Sequence, residues 1–438
     1  MEWPLILALM LGGLVALLLT GLPVAFAFIA VNLVGAFFIL GGEVGLIQMA
    51  RNSVQSITSF QLTPIALFIL MGEILFQTRI AHKAIDAIDR VITRVPGRLS
   101  VVTVFSGTVF AALSGSTIAN TAMLGSTLLP PMLQRGYHPT LAMGPIMASG
   151  AIAMLIPPSA LAVLVGSLAG FSIAGLLLAG VLPALLLAIC FVLIIVVAAG
   201  LRPELAPAEP LPEMSLYERW RPFLIYVVPL SGIFVVVIGS LLAGLATPTE
   251  SAALGCVGAL IAGAGYRALT FANLRVAIME TIKLSVMILF IIAASQTFSQ
   301  ILAFSGATGG LIRLIEGLDI SSLQILIGMV LILLFLGCFI DQVSMLMVTV
   351  PVFVPIARAV GIPDMVLGVT YLLTLEIALL TPPFGLLLFV MQGVAPDWIR
   401  IRHVYAAAAP FLVVKIAVLV LLIAYPTLGT WLPAQLGR

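Results

Sequence analysis

Four short stretches of this 438-residue chain combine glycine or proline with side-chain oxygens inside runs that are otherwise apolar. They are Ser114-Gly-Ser-Thr-Ile-Ala-Asn120, Ile156-Pro-Pro-Ser159 behind Ser149-Gly150, Gly337-Cys-Phe-Ile-Asp341, and Leu380-Thr-Pro-Pro-Phe-Gly385 behind Glu376. Gly and Pro let a helix break, and a break frees carbonyls at one half-helix end and N–H groups at the other. Freed carbonyls joined by Ser, Thr, Asn or Asp oxygens suit a small hard cation such as Na+. Freed N–H groups at a helix N-terminus favour an anion. The chemistry on offer is ion coordination. Small residues also serve close helix packing, which accounts for any one stretch alone. Asp341 and Glu376 are carboxylates within apolar segments, where acids are costly and functional by default. Lys415 could snorkel or pair with an acid.

The elements that must position these residues follow from composition. The chain is 62% hydrophobic and 8% charged, with a mean hydropathy of +1.28, whereas soluble domains carry about 25% charged residues. Lipid is therefore part of its solvent, and the backbone must be satisfied within helices or a closed barrel. Barrel strands alternate apolar and polar residues. Here the runs are continuous, as from Ile173 to Ala199, and a span needs roughly 20 residues. Helices are predicted. A net charge of +2 without a basic stripe argues against nucleic acid. Cys190, Cys256 and Cys338 lie in apolar runs and read as buried, inert thiols. The N-terminal run from Pro4 to Thr20 follows Glu2, not a basic region, and reads as a retained helix.

The chain divides into residues 1–200, a polar linker at 201–222, and residues 223–438. Pro23 has a counterpart in Pro248, Asn120 with Pro130 in Asp341 with Pro351, and Pro157-Pro158 in Pro382-Pro383. All fall at offsets of about 221 to 225 residues, which argues for an internal repeat. Loop charge then indicates inversion. The segment 79–98 carries Arg79, Lys83, Arg90, Arg94 and Arg98, whereas its counterpart 304–319 has only Arg313 among basic residues. Segment 41–56 has only Arg51, whereas 265–283 has Arg267, Arg275 and Lys283; 170–172 has none against Arg400 and Arg402. By the positive-inside rule, corresponding loops lie on opposite faces, the pattern of secondary transporters. The linker falls to the cytoplasm and both chain ends outside.

This works only if 99–132 and 320–357 are re-entrant helical hairpins, leaving about five spans per half. The broken spans are 137–169 and 364–392. Segment 79–98 has amphipathic helix spacing and reads as an arm along the interface. The expected fold is an all-α polytopic membrane protein of two inverted-topology repeats. Each half supplies one cation site, hairpin tip plus broken span, with an anionic substrate between the tips.

An enzyme is not expected. No HExxH occurs, the three histidines are scattered, and no P-loop is present.

At these stretches the sequence resembles the large membrane subunit of TRAP transporters (tripartite ATP-independent periplasmic transporters). The resemblance rests on residues 114–120, Arg-Gly-Tyr at 135–137, residues 156–159, Ala-Thr-Pro-Thr-Glu-Ser-Ala-Ala at 246–253, Phe-Ile-Asp at 339–341 and residues 380–385. It implies an elevator-type ion transporter in the bacterial inner membrane, importing a small organic anion, often a carboxylate, on a Na+ gradient. It implies two partners: a small four-helix membrane subunit, here expected as a separate chain, and a periplasmic substrate-binding protein. Carried over, Ser114, Gly115, Ser116, Asn120, Ser149 and Gly150 would hold one Na+, and Gly337, Asp341 and Thr381 another. Substrate contacts are expected from Ser116, Thr117, Pro157, Pro158, Asp341, Glu376 and Pro382. The chain departs from the resemblance at Gln342, where Pro is common, and at Leu387, where Asn is. The alternative is a stand-alone Na+- or H+-coupled anion symporter of similar fold that needs no binding protein.

Overall fold

Glycine and proline punctuate the chain, and helices fill the intervals. The computed structural model describes residues 2–78, 80–114, 116–157, 159–207, 214–318, 320–383 and 385–435. The first half runs α1 (Trp3–Leu19), α2 (Val24–Ile39), α3 (Glu43–Ile57), α4 (Thr63–Gln77), α5 (Ile80–Val91), α6 (Arg98–Ser114), α7 (Thr117–Gln134), α8 (Pro139–Ala151), α9 (Ala160–Ala169), α10 (Ile173–Ala179) and α11 (Val181–Leu201). After the linker helix α12 (Leu216–Pro222), the second half runs α13 (Val228–Leu242), α14 (Pro248–Gly265), α15 (Phe271–Phe304), α16 (Ala307–Glu316), α17 (Ser322–Gly337), α18 (Gln342–Ala359), α19 (Asp364–Ala378), α20 (Leu386–Val394), α21 (Ile401–Ala424) and α22 (Thr427–Thr430). Among the described residues, six helical runs are long and apolar enough to cross a membrane. The chain is a multi-pass membrane protein.

The two halves differ in where their helices break. The first half breaks between α3 and α4, where Ser59 leads into a 3-10 turn at Phe60–Leu62 and Pro64 opens α4. The second half has no Gly or Pro between Phe271 and Phe304, so one helix runs through. Residues 271–283, expected in a loop on account of Arg275 and Lys283, are therefore helical, with Thr270 capping Asn273 N and Lys283 paired to Glu280 at 2.6 Å. At 1.5 Å per residue α15 is about 51 Å long, well beyond the roughly 30 Å hydrocarbon core.

Two bodies form. Helices α1–α4 and α13–α15 pack together and carry a polar seam. Buried Asn32 donates to Ala294 O at 2.7 Å, and Asn52 hydrogen-bonds Gln300. In the other body, α6 packs on α7 and α8, α17 on α18 and α19, and α21 on α8 and α19. The second helix of each broken span crosses to the other half: α9 packs on α18, and α20 on α7.

Two amphipathic helices flank these bodies. Helix α5 buries Ile80, Ala84, Ile85 and Ile88, packs on α12 and the following turn Phe223–Val227, and is joined to α6 by Arg98–Asp89 at 3.0 Å. Helix α16 packs on α1, where the Trp3 ring lies against Gly310. Cys256 is buried as expected, whereas Cys190 and Cys338 are partly exposed.

Candidate functional site

Each helical hairpin turns at a tip that faces a broken span. Ser116 caps α7, accepting from Ala119 N at 3.3 Å, and buried Thr117 opens that helix. Ser159 caps α9, accepting from Ala162 N at 3.1 Å. Ser114 closes α6, and its side chain, like Gly115 and Pro158, lies outside the described residues; Pro157 is buried. A 3-10 turn at Ile152–Met154 separates α8 from the break.

Asn120 is the centre of the first site. It is 1% exposed, and its Nδ2 donates to Gly107 O at 3.1 Å. Its Oδ1 is buried with no hydrogen-bond partner among the described residues, and the same holds for Ser106 Oγ and Thr121 Oγ1. Ser149 donates to Pro145 O at 2.7 Å. A Cβ on Gly107 would collide with Ser149, and one on Gly150 with Thr121 Oγ1. Glycine at these two positions lets α8 approach both helices of the hairpin. Two orphaned, uncharged oxygens, Asn120 Oδ1 and Thr121 Oγ1, thus lie on α7 at a close helix junction, and a third, Ser106 Oγ, lies on α6 next to Gly107. Buried polar groups left unpaired are costly, and an oxygen-rich pocket is what a hard cation requires.

The second site is built differently. Asp341 caps α18: its Oδ2 accepts from Val343 N at 3.0 Å and Ser344 N at 3.1 Å, and Ser344 Oγ donates to Oδ1. Gly337 abuts Ala378 of α19. Between tip and break lies a cavity of about 180 Å³, lined by Gly337, Asp341, Met345, Ala378, Leu379 and Leu386. Thr381 donates to Ile377 O at 2.8 Å, leaving its lone pairs near that break. Pro382 is exposed, and its bond to Pro383 is cis. Leu387, at the position noted as a departure, is fully buried.

Two substrate expectations meet a different geometry. Asp341 already occupies the N-terminus of α18, so that helix end offers no free N–H pair to an anion. Glu376 is 0% exposed and accepts from Lys415 Nζ at 2.9 Å, so it has a protein partner in place of an open face. The reason is packing: α19 is buried nearly throughout, between α17, α21 and the Ile152–Met154 turn. Ser106, Gly107 and Thr121 are missing from the sequence reading. Thr121 adjoins Asn120, and Ser106-Gly107 is itself a Ser-Gly pair, but only the fold brings them together. Among the described residues, no three His, Cys, Asp or Glu side chains cluster as metal ligands.

Residues 11–428 match the family described as "Tripartite ATP-independent periplasmic transporter, DctM component". The chain belongs to this TRAP transporter family. It is a TRAP large permease, a transporter subunit and not an enzyme. It is similar to the C4-dicarboxylate TRAP transporter large permease protein DctM of Pseudomonas aeruginosa, at 30% identity over 91% of this chain and 94% of that one. The sialic acid large permease SiaM of Vibrio cholerae is 30% identical over 96% and 97%. The ectoine large permease TeaC of Halomonas elongata is 29% identical over 97% and 98%. Among solved structures, the fold is shared with the YdaH transporter of Alcanivorax borkumensis, at a TM-score of 0.64 and 16% identity over 90% and 91% of the two chains. It is also shared with MtrF of Neisseria gonorrhoeae, at 0.62 and 16% over 91% and 93%. The TRAP permease thus has an all-helical transporter fold.

Proposed function

We propose that this TRAP permease imports a small organic anion, a carboxylate in the first instance, by Na+ symport across the bacterial inner membrane. The observation that carries the reading is the pair of buried, unpaired oxygens of Asn120 and Thr121 where α7 meets α8, with the unpaired Ser106 oxygen on the neighbouring α6. One Na+ binds there, with Ser149 and Gly150 completing the set. A second binds between Asp341, Gly337 and Thr381. Site two carries an acid and site one does not. The anion therefore sits toward the first half, on the amide ends of α7 and α9 near Ser116, Thr117 and Pro157, with the second break at Pro382 opposite.

The body of α6–α11 and α17–α21 moves as an elevator against α1–α4 and α13–α15. The halves are inverted repeats. In support, α5 shares its face with the linker helix α12, while α16 shares its face with the start of α1. A small four-helix membrane subunit and a periplasmic binding protein complete the transporter, as the names of the relatives suggest. The test is uptake of a labelled organic acid into proteoliposomes. Uptake that needs all three components and an inward Na+ gradient, and fails on a K+ gradient, supports the proposal. Uptake by the permease alone would favour the stand-alone symporter.

A further inference from the structure

The Glu376–Lys415 pair is absent from the first half: at the positions matched by the repeat offset of about 225 residues stand Ala151 and Cys190. Both side chains are 0% exposed. Lys415 projects from α21 onto the Phe191 ring of α11, at 5.9 Å from its centroid, and meets Glu376 Oε2 at 2.9 Å. Helix α19 packs on the Ile152–Met154 turn, so the carboxylate lies toward the Met154 and Leu155 amides without hydrogen-bonding either, the Leu155 N–H being given to Ile152 O at 3.0 Å, and its Oε1 has no hydrogen-bond partner among the described residues. These amides belong to the turn that follows α8, four to six residues beyond Ser149 and Gly150. Leu155 is gripped from the other side, since its carbonyl lies against the Cα of Gly180. A second-half ion pair thus reaches the backbone that shapes the first-half cation site.

We propose that Glu376 and Lys415 are positioning residues for that first cation site, acting through the Ile152–Leu155 turn and not by touching substrate. The pair aims a carboxylate at two amides and Lys415 holds it there, which fixes where α8 ends and where its last carbonyls point. Buried ion pairs are often replaceable by apolar residues without loss of stability. Retaining one against the repeat symmetry calls for a directional role. The proposal rests on the cation reading above.

The test measures the Na+ concentration that half-saturates thermal stabilisation of the detergent-purified full chain, in an Asp341→Ala background so that only the first site reports. Glu376→Leu with Lys415→Met removes the pair at similar volume. The expected result is a folded protein whose half-saturating Na+ rises about tenfold, the scale of lost support behind a metal ligand. Partial recovery is expected in Glu376→Gln with Lys415→Met, which keeps an oxygen toward the amides. The reversed pair, Glu376→Lys with Lys415→Glu, should fail like the apolar variant because it turns a cation toward the amides. An unchanged half-saturation in the apolar or the reversed variant overturns the positioning role. If Asp341→Ala alone shows no Na+ response, or Asn120→Ala does not abolish it, the cation site itself falls, and the proposal with it.

Discussion

Asn120→Ala is expected to cost stability in a way that depends on the salt present. The substitution removes one buried hydrogen bond, Nδ2 to Gly107 O, a carbonyl that keeps its bond within α6, so the loss is about 0.5–1.5 kcal/mol in any electrolyte. It also removes Oδ1, one of the orphaned oxygens. A ligand at 100 times its Kd adds about 2.7 kcal/mol to a folded state that alone binds it. In saturating NaCl the variant therefore loses both amounts, about 3–4 kcal/mol, while in KCl or choline chloride it loses only the first. The assay is unfolding of the purified protein in the three salts at equal ionic strength. An equal loss in all three would refute the argument that these oxygens hold Na+, and would leave Asn120 as a packing residue.

Gly150→Ala drives a methyl into Thr121 Oγ1 and is expected to cost about 1–3 kcal/mol by overpacking and to abolish Na+-driven uptake, measured in proteoliposomes. Lys415→Met alone strands the buried Glu376 and is expected to cost about 3–5 kcal/mol, read by chemical unfolding in micelles. Arg358→Ala breaks the ion pair with Asp364 at 3.0 Å, but both side chains are more than a third exposed. Its stability cost is expected to stay near or below about 1 kcal/mol, which the same unfolding measurement checks.

The breaks were legible because Gly, Pro, Ser and Asn are chosen locally. Helix α6 ends at Ser114 and α7 begins at Thr117, α9 begins at Ala160, and the amphipathic helix α5 spans Ile80–Val91. The helix that replaces a loop at 271–283 shows what charge alone misreads. Arg275, Glu280 and Lys283 are good helix formers, and with no Gly or Pro to stop it the helix runs on. The approach of Thr121 to Gly150 and of Gly107 to Ser149 was not legible, since the residues share no spacing and meet only through tertiary packing. Likewise Glu376 and Lys415 are both visible as costly charges, but their pairing depends on α19 and α21 lying side by side.

The crossed packing of α9 on α18 and of α20 on α7 bears on biogenesis. Arg358 at the end of α18 donates to Ala169 O at 3.0 Å across a sequence separation of 189 residues. At roughly 5–20 residues per second of translation, the first hairpin and its broken span wait about 10–40 s for their partners. Throughout that interval their polar tips sit in or beside the bilayer without the surfaces that later enclose them. The nascent first half therefore depends on shelter from the insertion machinery, and a chain stopped at the linker would be a substrate for membrane proteolysis.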